Sequence, residues 1–318
     1  MNKKRLYIQE VATRDGFQNE AVFVETDAKI ALVNELSECG YAKIEVTSFT
    51  SPKAIPALKD AEAVMHRIVR KPGVVYTVLV PNIRGAERAL SCNVDEVNLV
   101  MSVSESHNRR NLRMTREDSF AQLREVVQAV KQSPVAVNVS LSTAMGCPME
   151  GDVPVSVVLD WMARFADLGV HGVTLCDTTG MAYPSQVEEL SRAARDRFPD
   201  LELTQHFHNT RGMALANTLA ALNAGIDRFD SSLGGLGGCP YAPGASGNAC
   251  TEELVHMLEL EGYDTGVSLQ GILAAAARLP GLVRHDVPSQ ILKAGHRLNL
   301  HPMPASGGGA MPEQRAFA

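Results

Sequence analysis

His206 and His208 lie two apart in the stretch Gln205-His206-Phe207-His208-Asn209. In extended backbone that spacing puts both imidazoles on one side of a strand, within reach of one metal ion. Asp15 offers a carboxylate and Asn248 a carbonyl or amide oxygen to complete such a shell. A mixed nitrogen and oxygen shell suits Mg2+, Mn2+, Co2+ or Zn2+, and donor softness does not choose among them. The lack of a cysteine in it leans away from structural zinc. Taken alone, His-x-His also describes two ordinary histidines. Carboxylates at other strand ends, Asp15 and Glu45, are what favour ligation.

Four further residues could do chemistry at the same place. Arg14 reads either as a surface partner of Asp15 or as a fixed positive group facing an anionic oxygen. Glu45 is a site residue or an ion-pair partner inside the fold. Asp177, in Cys176-Asp177-Thr178-Thr179-Gly180, either joins the site or caps the turn that follows. Cys239 sits in a segment with glycines at 234, 235, 237, 238, 244 and 247. Such a segment has little core for a buried thiol and can cross a site mouth, so Cys239 reads as a proton donor or nucleophile.

These residues need a scaffold that gathers them. Short β-branched runs at 6–11, 43–47, 74–80, 96–101, 135–141, 172–175, 201–206 and 228–230 read as strands. Amphipathic stretches between them, such as 27–39, 54–69, 117–131, 154–168, 184–197 and 211–224, read as helices. Thr26 or Asp27 opens the first helix, and Gly40 and Gly225 follow two helix ends. About eight such units over some 250 residues predict an α/β fold, a (β/α)8 TIM barrel with extra C-terminal helices at 251–261 and 269–282. An open doubly wound sheet is the other possibility, but no Gly-x-Gly-x-x-Gly follows the first strand. In the barrel, strand 1 ends in Arg14-Asp15, strand 2 holds Glu45, strand 6 ends in Asp177 and strand 7 in the histidines. All then open on one mouth. Residues 1–300 are expected to form this domain, and 301–318, rich in Pro, Gly and Ala, a disordered tail.

Composition narrows the function. Of 318 residues, 45% are hydrophobic and 21% charged, as in ordinary globular proteins, which excludes disordered, collagenous and coiled-coil classes. Thirty basic against 36 acidic residues give a net charge of −6, without the basic excess of a nucleic-acid binder. No apolar run approaches the roughly 18–20 residues that cross a bilayer, so no membrane partner is expected. The start Met1-Asn2-Lys3-Lys4-Arg5 is followed by a stretch too short and polar for a signal-peptide core, which points to a cytoplasmic location. Six cysteines without paired short spacings argue against disulfides and zinc fingers.

Six stretches make the sequence recognisable: TRDGFQNE (13–20), IEVTSFTSPKAIP (44–56), STAMGCPMEG (142–151), CDTTGM (176–181), HFHNT (206–210) and GLGGCPYAPGASGNACTEELVHML (235–258). With them the chain resembles the 3-hydroxy-3-methylglutaryl-CoA lyases, metal-dependent lyases built on a TIM barrel, over roughly residues 6–282. The last stretch is long and specific, and carries far more weight than the barrel itself. The resemblance implies that Asp15, His206, His208 and Asn248 bind a divalent metal, Mg2+ or Mn2+, with Zn2+ and Co2+ also compatible. It implies that Glu45 supports the shell through water and that Arg14 stabilises an enolate oxygen. Asp177 would assist proton transfer and Cys239 would be the catalytic thiol; Ser48 and Asn111 would touch substrate. The implied reaction is retro-Claisen cleavage of an acyl-CoA to acetyl-CoA and acetoacetate, by a homodimer.

Three departures from the family pattern bear on the substrate: Ala21, His107 and Asn209. They leave room for a related 3-hydroxy-3-alkylglutaryl-CoA or a citramalyl-CoA. A synthase or aldolase of the same superfamily is disfavoured by the Gly-Leu-Gly-Gly-Cys-Pro stretch and the lack of an appended regulatory domain. A barrel that merely binds acyl-CoA would be expected to lack a ligand or the thiol, and this chain has them all.

Overall fold

The structure, a computed structural model, describes residues 3–238, 247–300 and 302. Eight parallel strands close into a barrel in chain order, the last pairing with the first. They are β1 (Tyr7–Glu10), β2 (Lys43–Ser48), β3 (Val75–Leu79), β4 (Glu96–Ser102), β5 (Ala136–Ser142), β6 (Gly172–Asp177), β7 (Glu202–Phe207) and β8 (Arg228–Ser231). Around them run α1 (Thr26–Ser37), α2 (Ala61–Arg67), α3 (Ile83–Leu90), α4 (Glu105–Leu112), α5 (Arg116–Val130), α6 (Val155–Asp167), α7 (Pro184–Arg197) and α8 (Ala214–Asn223). After the barrel come α9 (Thr251–Leu260), α10 (Leu269–Ala276), α11 (Leu279–Val283) and α12 (Gln290–Ala294). The expected TIM barrel with C-terminal helices is the observed fold.

Strand alternation divides the core in two. In β4, Val97, Leu99 and Met101 are fully buried in the apolar core, whereas Asn98 and Val100 line the cavity inside the mouth. The barrel interior is polar rather than aliphatic. Lys43 meets Glu96 at 2.7 Å, and the Gln9 amide donates to Thr204 at 3.1 Å. Asn138 donates to Asn98 Oδ1 and to Thr174, and Ser140 donates to the same Asn98 oxygen. Buried polar groups are stable only when paired in this way.

Several expected boundaries move, each for a local reason. Arg14 and Asp15 do not end strand 1. That strand stops at Glu10, and Ala12–Gly16 coil into one π-helical turn that carries both side chains. The helix expected over 54–69 is a 3-10 turn at Pro56–Leu58 followed by α2. The one expected over 269–282 breaks before Pro280, which lacks the N–H that would continue it, leaving α10 and α11. The helix expected from 211 begins at Ala214, whose N–H donates to Asn209 Oδ1. Among the described residues, no helix is long and apolar enough to cross a membrane.

Candidate metal centre

The π-helical turn after β1 and the end of β7 bring Asp15, His206 and His208 together. One ligand atom from each lies within 4.8 Å of the others. From Gly247 the chain runs alongside β7. Ala249 N donates to Phe207 O at 2.8 Å, Asn209 N donates to Gly247 O at 2.9 Å, and Asn248 bridges to His208. This places the Asn248 side chain against Asp15, with Nδ2 donating to Asp15 Oδ2 at 2.7 Å and to Leu236 O at 2.9 Å.

That orientation leaves Asn248 Oδ1 buried with no hydrogen-bond partner, and His208 Nδ1 is buried in the same condition. Buried polar atoms without partners are rare and costly, and two beside one carboxylate indicate a ligand to be supplied. The four residues fit a divalent cation with nitrogen and oxygen donors. Gly237 closes the arrangement. With φ at +100°, a Cβ there would lie 2.4 Å from Asn248 Nδ2 and 3.1 Å from Asp15 Oδ2. At Gly247 the neighbour would be Gly235 O, 2.0 Å away. The described glycines of this segment therefore serve close approach of backbone to the site.

The ionisation states of Asp15 and His208 suit ligation. Burial alone would raise the Asp15 carboxyl, but Arg14, His206, His208 and the Asn248 amide hold it below its ordinary value. Burial would also lower His206; Asp230 Oδ2, 3.1 Å from Nδ1, reverses this and raises it. Nδ1 is thus engaged, and Nε2 is turned free for other contacts. Burial and the neighbouring His206 push His208 down to about 3, leaving a neutral imidazole. Asp230 is a site residue the sequence reading missed. It stands in register with His206 across β7 and β8, at the end of an expected strand, where a single carboxylate has no pattern to reveal it.

Arg14 holds two acids at once. Its guanidinium meets Glu45 Oε2 at 2.5 Å and Asp15 Oδ1 at 2.7 Å. Although burial opposes the charge, these partners raise its pKa and keep it protonated. The other Glu45 oxygen accepts from Asn98 at 2.8 Å, so the direct contacts of Glu45 are to Arg14 and Asn98. Asp177 caps its turn: Oδ1 accepts from Met181 N and Ala182 N. Its Oδ2 has no hydrogen-bond partner, and burial pushes the carboxyl up to about 7.

A cavity of about 890 Å3 opens over these groups. Arg14, Asp15, His206, His208, Asp230 and Gly237 line it, and so do Asn111 and His107. Ser48 is not among the lining residues. It is buried, and its hydroxyl is bonded to Thr50, which does line the wall beside Ser51. His107 is buried, with Nδ1 2.7 Å from Ser102 Oγ. Cys239 lies outside the described residues, between Gly238 and Gly247.

Comparison with known proteins agrees with this geometry. The HMGL-like family model matches residues 5–279. The hydroxymethylglutaryl-CoA lyase of Bacillus subtilis (strain 168) is 45% identical over 290 residues, covering 91% of this chain and 97% of the relative. The human mitochondrial hydroxymethylglutaryl-CoA lyase is 40% identical, covering 93% and 91%. The structure of an HMG-CoA lyase from Acinetobacter baumannii, in complex with coenzyme A and 3-methylmalate, superposes with a TM-score of 0.90 at 47% identity, covering 94% and 98%. With a family model spanning the whole barrel and relatives this similar end to end, the chain belongs to the HMGL-like family.

Proposed function

We propose that this protein is a carbon–carbon lyase that cleaves 3-hydroxy-3-methylglutaryl-CoA to acetyl-CoA and acetoacetate. The observation that carries the reading is the cluster of Asp15, His206 and His208 on the wall of the cavity, with Asn248 against Asp15 and two buried polar atoms, His208 Nδ1 and Asn248 Oδ1, without hydrogen-bond partners. A divalent metal held there, Mg2+ or Mn2+ with Zn2+ or Co2+ also compatible, would acidify the tertiary hydroxyl and anchor the substrate carboxylate.

The chain's own groups do the rest. Asp15 or His206 takes the hydroxyl proton. Asp177, a carboxyl that burial raises to about 7, would assist the proton transfer. As the carbon–carbon bond breaks, its electrons pass to the thioester. Arg14 is locked between Glu45 and Asp15 and faces the cavity, where it stabilises the enolate oxygen of the departing acetyl-CoA. Cys239 is the proposed acid that protonates the enolate carbon. Each positioned acid or base is worth about 10²–10⁴ in rate. Asn111, on the cavity wall, is the proposed substrate contact.

The test is the release of acetoacetate and acetyl-CoA by metal-stripped protein before and after Mg2+ or Mn2+ is restored. Metal-dependent release of both supports the reading. Bound metal without release would move the substrate to a related 3-hydroxy-3-alkylglutaryl-CoA or citramalyl-CoA, a shift that the polar His107 in the cavity wall favours. We also propose residues 1–300 as one domain and 301–318 as a tail on composition, a cytoplasmic location on the polar start of the chain, and a homodimer on family resemblance.

A further inference from the structure

Glu10 is the last residue of β1 and is fully buried. Its two carboxylate oxygens accept four hydrogen bonds from four different parts of the chain. Oε1 accepts from Ala12 N at 2.8 Å and from Leu233 N at 2.9 Å. Oε2 accepts from the Tyr41 hydroxyl at 2.8 Å and the Thr251 hydroxyl at 2.9 Å. Ala12 opens the turn that carries Asp15. Leu233 opens the turn that leads to Leu236 and Gly237. Thr251 begins α9, three residues after Asn248.

A second buried carboxylate acts on the adjoining residue. Both oxygens of Glu252 accept from Gly234 N, at 3.1 and 2.9 Å. Successive backbone N–H groups at 233 and 234 are thus gripped from two sides, at a turn where Gly234 has φ of +67°.

We propose that Glu10 is the positioning residue of the metal centre: one carboxylate sets the Asp15 turn, the Leu233–Gly237 wall and the Asn248 segment in their mutual register. This rests on the metal-site reading above. Glu10 reaches none of the ligands itself, so its removal acts through the backbone. Neutralising the group is tolerable, since a glutamine amide can still accept from both N–H groups and donate to both hydroxyls. Shortening it is not, because an aspartate cannot span from the two N–H groups to the two hydroxyls.

The test is Mn2+ titration of the metal-stripped full-length protein at about pH 8, read by the electron paramagnetic resonance of free Mn2+, with kcat and KM measured alongside. Glu10→Asp is expected to raise the Mn2+ dissociation constant by about ten- to a hundredfold and to lower kcat, with KM unchanged. Glu10→Gln is expected to stay near the wild type in all three. A merely structural role predicts a lower Tm with unaltered Mn2+ affinity, and that result in Glu10→Asp overturns the proposal. If Glu10→Asp does not fold, Thr251→Val, which removes one donor to Oε2, is read in its place: an unchanged dissociation constant overturns the proposal and a raised one supports it. Wild-type protein that binds no Mn2+ overturns the metal-site reading and this inference with it.

Discussion

The same carboxyl carries a pH signature. Burial raises Glu10 from 4.5 to about 7, against the pull of its four hydrogen bonds. Between those values the unfolded chain has lost a proton that the folded chain keeps, so this group makes stability fall as pH rises through the window. Glu10→Gln removes the step. The Tm of the variant relative to wild type should therefore climb between about pH 5 and about pH 8, checked by calorimetry across that range. A difference that stays constant would show that Glu10 titrates elsewhere. Other single residues show how far side-chain chemistry can be read from a chain. The histidines were legible because spacing alone puts them on one face. Asp177 left two readings open, and the geometry shows the turn cap, with the second oxygen still unpaired. Asp230 and Glu10 carried no pattern: their importance lies in partners 24 and 223 residues away.

At the level of elements, the most exacting packing is the approach of the glycine-bearing segment to the π-helical turn. Gly237→Ala would drive a methyl group into the Asn248 amide, within 2.4 Å, and against the Asp15 carboxylate. The expected outcome is loss of Mn2+ binding and of turnover with the far-UV circular dichroism of the barrel retained; wild-type Mn2+ affinity would mean that the segment yields. All eight strands were readable because short β-branched runs recur along the chain with helices between them. Their ends were less so. The coil at Ala12–Gly16 answers to Glu10, whose side chain takes up the Ala12 N–H, and no local propensity foretells it. Of the expected 54–69 helix, only Ala61–Arg67 is α-helical, after a 3-10 turn that Pro56 opens. The short α3 and α4 are each eight residues long, about two turns, and α4 has a single apolar residue, Leu112, for periodicity to act on.

At the scale of the whole molecule, the centre ties β1, β7 and the segment before α9 to one another, so an ion bound there binds the folded state and has no preformed site in the unfolded chain. Mn2+ at about a hundred times its dissociation constant should raise the unfolding free energy by about 2.7 kcal/mol, seen as a higher Tm that a chelator reverses. An unchanged Tm would argue against a site assembled from these three parts. The polar interior of the barrel has a consequence of another kind. Arg14, Glu45, Asn98, Asn138 and Ser140 form a continuous run of hydrogen bonds in which Asn98 alone serves three partners. Replacing Asn98 by itself strands the groups on either side, so its acceptable substitutes depend on what occupies 45, 138 and 140. Drift at these positions is therefore collective: a library randomising Asn98 singly should return asparagine, while one varying the four together can find new solutions.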